Sequence, residues 1–219
     1  MQGVLKKISG YTWRPAVKFY LRRSHIFSID SVRVVVPPGV FHPGLFFSTK
    51  QMYQFLKKLE WKGKRVLDLG CGSGLLGICC AKKGAKVVAS DISEKAVASA
   101  IGNFQSNHLS AEVFLSDLFN DIPRQKFDAI LVNPPYFPSD PKSPEEFAWY
   151  AGKNFEYFDG LFSQAISFLS ENGQLLMVLS DECDRDRIFS IAKAHGWKND
   201  LAFERQNFWE RILIYKLTR

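Results

Sequence analysis

The chain of 219 residues is 46% hydrophobic and 23% charged, which is typical of a soluble globular protein and excludes a disordered one. It contains no run of about 18 apolar residues and no signal-peptide pattern, so we expect no membrane partner and no secretion. A net charge of +7 favours anionic partners.

The first 29 residues carry basic and aromatic side chains and no acid. The basic residues are Lys6, Lys7, Arg14, Lys18, Arg22 and Arg23, and the aromatic ones are Tyr11, Trp13, Phe19 and Tyr20. Such a segment could contact RNA or a ribosome through its cations. It could equally be a solvated helix whose rings pack on the domain, and the sequence leaves both interpretations open.

Residues 25–41, "HIFSIDSVRVVVPPGVF", alternate in polarity and predict a small β-hairpin that ends at the Pro-Pro-Gly turn. Residues 50–60, "KQMYQFLKKLE", predict a helix. We therefore divide the chain into a basic N-terminal extension, residues 1–50, and a main domain, residues 51–219.

Strands and helices alternate through the main domain. The predicted strands are 64–69, 86–91, 111–117, 127–133 and 173–180, and the predicted helices are 75–83, 93–107 with Ser93 as N-cap, 160–170 and 184–194. Residues 197–203 and 208–217 predict a terminal hairpin. Apolar strands separated by helices predict an α/β fold: a doubly wound, Rossmann-like sheet of seven mostly parallel strands with a C-terminal antiparallel hairpin.

The four cysteines are Cys71, Cys79, Cys80 and Cys183. They lack the spacing of a zinc site, so we predict no metal and assign Cys79 and Cys80 as buried free thiols. Free thiols are the norm in a reducing compartment, and we therefore expect a cytoplasmic protein.

The stretch "RVLDLGCGSGLLGI", residues 65–78, permits two interpretations. Gly72, Gly74 and Gly77 form the G-x-G-x-x-G pattern of dinucleotide-binding turns. Asp68 with the glycines at 70, 72 and 74 forms D-x-G-x-G-x-G, which suits S-adenosylmethionine, because a carboxylate there repels a pyrophosphate and attracts an ammonium group. Asp68 could also merely cap a turn or a helix.

Two further carboxylates follow strands that should end at the same edge of the sheet. Asp91 could accept hydrogen bonds from both hydroxyls of a ribose. Asp117 could lie beside the adenine amine or simply cap a turn.

The sequence Asn133-Pro134-Pro135-Tyr136 follows the fourth predicted strand. The Asn133 side-chain oxygen and the Pro134 carbonyl can accept hydrogen bonds from a planar NH₂ group, which directs the nitrogen lone pair at a methyl donor. The prolines stiffen the loop, and Tyr136 offers a ring for stacking. We predict these four residues to be catalytic.

The segments "VLDLGCGSG", "VVASDIS", "SDLF" and "FDAILVNPPY" resemble the class I S-adenosylmethionine-dependent methyltransferases with an NPPY motif. More narrowly, residues 35–219 resemble HemK/PrmC-type glutamine-amide methyltransferases and their small methyltransferase domain relatives. The resemblance implies S-adenosyl-L-methionine as cofactor. The cofactor-binding residues that it implies are Thr49, Asp68, Gly70, Cys71, Gly72, Gly74, Asp91, Ile92, Asp117, Leu118 and Asn133.

The acceptor is expected to be a macromolecule. Residues 148–162, from Ala148 to Phe162, and the C-terminal tail resemble the glutamine methyltransferases, so we favour a protein glutamine, for example in a release factor or a ribosomal protein. The segment "PPGVFHPGLFFSTK" is closer to relatives that methylate ribosomal RNA bases, so an RNA or DNA amino group is the alternative. A dinucleotide-dependent oxidoreductase and an inactive binding subunit remain more distant hypotheses.

Overall fold

We describe the protein from a computed structural model over residues 22–208 and 210–219. Its elements are β1 (His25–Ile29), β2 (Val32–Val36), α1 (Phe47–Leu56), β3 (Arg65–Leu69), α2 (Leu75–Ala81), β4 (Lys86–Asp91), α3 (Glu94–Ser106), β5 (Glu112–Leu115), β6 (Phe127–Val132), a 3₁₀ helix (Pro144–Ala148), α4 (Glu156–Phe168), β7 (Leu169–Ser180), α5 (Arg185–Ala194), β8 (Lys198–Gln206) and β9 (Arg211–Thr218). The predicted basic and aromatic residues from Lys6 to Tyr20 lie outside the described residues.

The main sheet has seven strands in the order β5-β4-β3-β6-β7-β9-β8. Strands β3 to β7 are parallel, whereas β9 is antiparallel to both β7 and β8. This confirms the predicted doubly wound sheet with its terminal hairpin. Since the chain moves outward from β3 to β5 and then returns to β6 on the other side of β3, a crevice forms where these strands end.

Hydrophobic side chains form one core on each face of the sheet. One core joins the β1–β2 hairpin to α1, α2 and α3, with Ile78 and Leu131 fully buried in it. The other lies beneath α4 and α5 and buries Phe158 and Met177 completely. The four cysteines are free and buried, as predicted for Cys79 and Cys80. The strand ends are therefore held by packing on both faces.

Two asparagines, Asn103 in α3 and Asn107 at its C-terminal cap, attach the β1–β2 hairpin to this helix. Asn107 accepts a hydrogen bond from the Arg33 N–H (3.2 Å) and donates one to its carbonyl (2.7 Å). Asn103 makes the same pair with Val35, at 2.7 and 2.9 Å. The four residues between the two asparagines span about 6 Å along a helix and two strand residues span about 6.6 Å, so each amide meets one backbone unit. Asn103 also donates to the Ser73 carbonyl (2.9 Å), which links the hairpin to the glycine-rich loop.

Helices α1 and α4 each begin and end at residues other than those predicted. Helix α1 spans Phe47–Leu56 rather than 50–60, and the Trp61 indole N–H donates to the Leu56 carbonyl (2.8 Å) at its end. Helix α4 spans Glu156–Phe168 rather than 160–170, because Phe155 turns the chain through a left-handed conformation (φ 64°). Leu169 and Ser170, which were predicted to end this helix, lie at the start of β7 instead.

Gly77 lets α2 pack closely against the sheet and α3. A Cβ atom at this position would lie 3.0 Å from Asp68 Oδ2, 3.1 Å from Phe104 and 3.2 Å from Val87. Replacing Gly77 by valine is therefore expected to destabilise the protein by about 2–3 kcal/mol and to lower Tm by roughly 5–10 °C, measured by calorimetry.

The matched control for this substitution is Gly102→Ala on the exposed face of α3. No atom of the described residues lies within 4 Å of a Cβ added there, so we expect a gain of about 0.5–1 kcal/mol from helix propensity. A Gly77→Val variant that is as stable as the wild type would contradict the packing role of Gly77.

Candidate active site

A cavity of about 600 Å³ lies at the carboxyl ends of β3, β4 and β6. Its volume is in the usual range for pockets that enclose a small molecule. The predicted site residues that line it are Thr49, Asp68, Gly70, Cys71, Gly72, Asp91, Ile92, Asp117, Leu118, Asn133, Pro134, Pro135 and Tyr136. Residues from five separate parts of the sequence thus meet in one place.

Gly74 is the predicted site residue that the structure does not bring to the cavity. It is the N-cap of α2, with φ 78°, and a Cβ there would lie 3.2 Å from Phe104 and 3.3 Å from Ala100. Gly70 and Gly72 also have positive φ values, 70° and 54°, and these two line the cavity. The glycine pattern therefore combines a close approach to the cavity with tight helix packing.

Asp68 is buried at the end of β3, and its Oδ2 accepts a hydrogen bond from the Gly77 N–H (2.8 Å). The predicted alternative, a helix-capping contact, is therefore present in the structure. Burial, opposed by the Gly77 hydrogen bond and assisted by the charge of the nearby Asp91, raises the pKa of this carboxyl to about 7. A cation in the cavity would favour the ionised form.

Asp91 ends β4 and holds two loop segments together. Its Oδ2 accepts the Gly72 N–H (2.9 Å), and its Oδ1 accepts the Ser93 N–H (2.9 Å). Burial raises the pKa of Asp91 despite these hydrogen bonds. Each carboxylate oxygen has a second lone pair, so the group can still accept hydrogen bonds from a ligand.

Asp117 and Leu118 follow β5 and form another part of the wall. Asp117 is exposed, whereas Leu118 is half-buried and adopts a positive φ of 49°. The Ser116 hydroxyl donates to the Leu118 carbonyl (3.0 Å) and stabilises this turn. Leu118 and Ile92 give this part of the cavity apolar surface next to a carboxylate, as a purine ring with an amino group requires.

Asn133 is oriented by Thr49, a buried residue of α1. The Asn133 side-chain NH₂ donates to the Thr49 hydroxyl (3.1 Å). No described group donates to Asn133 Oδ1, and both residues line the cavity. The amide is therefore turned so that its oxygen can accept a hydrogen bond from a ligand.

The rest of the NPPY segment is packed and stiff. Pro134 and Pro135 are buried. Tyr136 is half-buried, its ring lies 4.8 Å from the Phe137 ring, and burial raises its pKa to about 12. The Tyr136 N–H donates to the Trp149 carbonyl (3.2 Å), which joins this segment to the 3₁₀ helix region.

Several residues of the cavity wall were missed by the sequence analysis. Phe41, Phe46 and Trp149 form an aromatic cluster with ring distances of 4.4 to 5.4 Å. Tyr157 lines the cavity as well, and burial and the charges of Asp91 and Asp117 raise its pKa. The density of aromatic residues in "AWYAGKNFEYFDGLF" was the one available signal for Trp149 and Tyr157.

The raised pKa of Asp68 predicts pH-dependent cofactor binding. If the ligand's ammonium group lies beside this carboxyl, binding favours the ionised form and releases a proton. With a pKa of about 7 in the free protein, the affinity for S-adenosylhomocysteine should be about tenfold higher at pH 8 than at pH 6. Calorimetric titration in two buffers of different ionisation enthalpy would count the released proton.

The control for this titration is Asp68→Asn, whose amide oxygen can still accept the Gly77 N–H. We expect its affinity to vary less with pH than that of the wild type. The same pH slope in both proteins would contradict the role of Asp68.

The fold and the cavity together define a class I methyltransferase, and comparisons with known proteins agree. Residues 31–196 match the model of the "Methyltransferase small domain" family, and the chain belongs to this family. It is 32% identical over 201 residues to a Methanocaldococcus jannaschii protein named "Putative protein N5-glutamine methyltransferase", covering 89% of this chain and 99% of that one.

Two further matches cover shorter parts of the relatives. The "Ribosomal RNA small subunit methyltransferase C" of Chromohalobacter salexigens is 41% identical over 102 residues, which is 45% of this chain and 30% of that protein. The structure of the T. thermophilus 16S rRNA methyltransferase RsmC with AdoMet and guanosine has a TM-score of 0.64 at 20% identity, covering 88% of this chain and 49% of that one. The protein is thus a methyltransferase that uses S-adenosylmethionine.

The described residues include no helix that is both long and apolar enough to cross a membrane.

Proposed function

We propose that the protein transfers a methyl group to the side-chain amide nitrogen of a glutamine in a protein substrate. The orientation of Asn133 carries this proposal, because its donor side is held by Thr49 and its oxygen is left for an incoming NH₂ group. An amide NH₂ has two N–H donors, and the Asn133 oxygen and the Pro134 carbonyl are two acceptors in adjacent residues.

The cavity wall fits S-adenosylmethionine. Asp68 would face its ammonium group and Asp91 its ribose, while Leu118 and Ile92 would contact the adenine and Asp117 its amine. When bound, the cofactor supplies a methyl group activated by its attachment to a positively charged sulfur. A buried carboxyl with a raised pKa is stabilised by a neighbouring cation, which supports this orientation.

Asn133 and Pro134 would position the acceptor for transfer. Two accepted hydrogen bonds draw the amide nitrogen away from planarity and direct its lone pair at the methyl carbon. The nitrogen–carbon bond forms as the sulfur–carbon bond breaks. The nitrogen then loses one proton to solvent, and no strong base is needed because that proton becomes acidic once nitrogen is alkylated.

Protein glutamine is favoured because the relative with that name aligns over nearly the whole of both chains. The match to the RNA methyltransferase covers only 30% of that protein. An amino group of an RNA base could use the same two acceptors and is the second candidate. A dinucleotide is disfavoured, because Asp68 lines the cavity beside the glycine loop, where a pyrophosphate would have to lie.

Transfer of tritiated methyl groups would test the proposal. Purified protein is incubated with labelled cofactor and, in separate reactions, with a release factor or with ribosomal RNA. We expect acid-stable label on a glutamine of the protein acceptor, identified by mass spectrometry. Label found only in RNA would contradict the glutamine assignment. Tight binding of nicotinamide dinucleotides without binding of S-adenosylhomocysteine would contradict the cofactor as well.

A further inference from the structure

Two loops form a strongly basic surface at the edge of the sheet opposite the cavity. They are residues 57–65, which follow α1, and residues 82–86, which follow α2; together we call them the lysine edge. The loops carry eight basic residues and one acid, a formal charge of +7, which equals the net charge of the whole chain. The basic residues are Lys57, Lys58, Lys62, Lys64, Arg65, Lys82, Lys83 and Lys86.

Backbone hydrogen bonds hold the two loops side by side. The Gly63 N–H donates to the Gly84 carbonyl (2.9 Å), and the Lys86 N–H donates to the Lys64 carbonyl (2.8 Å). Charges that are separated by about 20 residues in the sequence therefore lie on one surface. Since these loops lead into β3 and β4, the basic surface is built on the rigid part of the fold.

Some of these lysines have structural roles. Lys57 pairs with Asp30 (2.8 Å), Lys82 donates to the Ser31 carbonyl and hydroxyl (both 3.0 Å), and Lys83 donates to the Lys57 carbonyl (2.8 Å). These contacts attach the hairpin and α1 to α2. These contacts explain the presence of three of the eight basic residues, and the other five need a different explanation.

Lys62, Lys64 and Lys86 are exposed and form no ion pair with any described residue. The acid in these loops, Glu60, accepts hydrogen bonds from the backbone of Trp61 and Lys62, both at 3.0 Å. It is therefore turned towards its own loop. Three adjacent, unpaired ammonium groups make a favourable contact for repeated phosphates.

The cavity has the opposite electrostatic character. Its lining includes Asp68, Asp91, Asp117, Asp140, Glu156 and Glu210, and no lysine, arginine or histidine among the described residues. Lys153 pairs with Asp140 at 3.3 Å beside it. Strand β3 has five residues and separates the two surfaces by roughly 15 Å. A phosphate backbone is thus attracted to the lysine edge and repelled by the cavity.

We propose that the lysine edge binds the phosphate backbone of RNA, as a docking surface distinct from the methyl-transfer site. The choice of RNA rather than DNA rests on the proposed function, because the protein acceptors expected for it, a release factor or a ribosomal protein, act at the ribosome. A membrane surface fits less well, because the apolar side chains here are covered: Trp61 is 2% exposed, and peripheral binding requires apolar side chains that can insert. Contacts between lysine side chains and phosphates do not distinguish one base from another, so binding should be independent of the RNA sequence.

The test replaces Lys62, Lys64 and Lys86 together by glutamate in the full chain. Binding to a fluorescein-labelled RNA hairpin is followed by anisotropy at several salt concentrations, with DNA of the same sequence as a second ligand. We expect at least a tenfold loss of RNA affinity at about 0.1 M salt and a decrease of about 2 in the slope of log K against log[salt].

A matched triple variant controls for net charge. Lys193, Lys198 and Lys216 are also exposed but lie on α5, β8 and β9, so their replacement by glutamate changes the total charge equally. This control should lose less than about threefold in RNA affinity. Equal losses in both variants, or no loss in the first, would overturn the proposal, and stronger binding to DNA than to RNA would overturn the choice of partner.

Methyl transfer to an isolated glutamine peptide separates this proposal from the proposed function. The Lys62/Lys64/Lys86 variant should methylate the peptide within about twofold of the wild-type rate, because none of the three residues lines the cavity. If RNA binding depends on the lysine edge but no peptide is methylated by either protein, the docking surface stands and the glutamine assignment fails.

Discussion

Replacement of Asn133 by alanine is expected to lower kcat by about 10²–10³-fold, which is the effect of removing one preorganised hydrogen-bonding group from an active site. The Kd for S-adenosylhomocysteine should change by less than about threefold. In the proposed geometry the side chain accepts from the substrate NH₂, whereas the main cofactor contacts are expected from residues at the ends of β3, β4 and β5. Single-turnover transfer and calorimetric titration would measure the two quantities.

Thr49 provides an internal check on this interpretation, because its hydroxyl accepts the hydrogen bond that orients the Asn133 amide. Thr49→Val removes the acceptor for the Asn133 NH₂ and lets the amide rotate, so kcat should fall by about tenfold. Thr49→Ser keeps the hydroxyl and should restore most of the activity. Asn199→Ala, an exposed asparagine in β8, is the neutral control. Wild-type kcat in the Asn133→Ala variant would show that the acceptor binds elsewhere.

The predicted site residues at strand ends line one cavity in the structure. Asp68, Asp91 and Asn133 each follow or end an apolar run, and the topology of a doubly wound sheet brings the carboxyl ends of its central strands together. Local sequence patterns were enough to predict that these residues lie close together, because β4 and β6 are both neighbours of β3 in the sheet. The glycine-rich loop was also recognisable from the local sequence, because its positive φ values favour glycine.

The residues that the sequence could not locate depend on long-range contacts. Phe41 and Phe46 precede α1, yet they meet Trp149 about 100 residues later. Phe155 adopts a left-handed φ that its residue type disfavours, so α4 began four residues earlier than predicted. Packing of Phe155 and Phe158 into the core (5% and 0% exposed) compensates for this local conformation.

Asn103 is another residue whose contacts could not be predicted from the sequence. Within α3 it occupies a helix position where asparagine has only modest propensity, and nothing nearby in the sequence indicates its partners. Its hydrogen bonds to Val35 and Ser73 span 68 and 30 residues. A side-chain amide that bonds to the edge of a strand, as a neighbouring strand would, produces no periodic pattern in the sequence. The attachment of the hairpin to the glycine-rich loop is therefore visible only in the structure.

Asp91 has two roles that one substitution can separate. In the free protein its oxygens hold Gly72 and Ser93 at 2.9 Å, and in the complex we expect them to accept from the ribose hydroxyls as well. Asp91→Asn leaves one acceptor oxygen and introduces an NH₂ group that cannot accept. Two hydrogen bonds to a charged group are weakened, each worth about 1.5–3 kcal/mol, so the Kd for S-adenosylhomocysteine should rise by about 10²-fold or more.

The ribose contact is isolated by repeating the titration with an S-adenosylhomocysteine analogue that lacks the 2′-hydroxyl. The wild type should bind this analogue about tenfold more weakly than the parent compound, whereas Asp91→Asn should discriminate less between the two, since the charge and one of the two acceptor oxygens are gone. If both proteins discriminate to the same extent, Asp91 only anchors the loop. In that case Asp91→Asn should show its main effect as a lower Tm of the free protein.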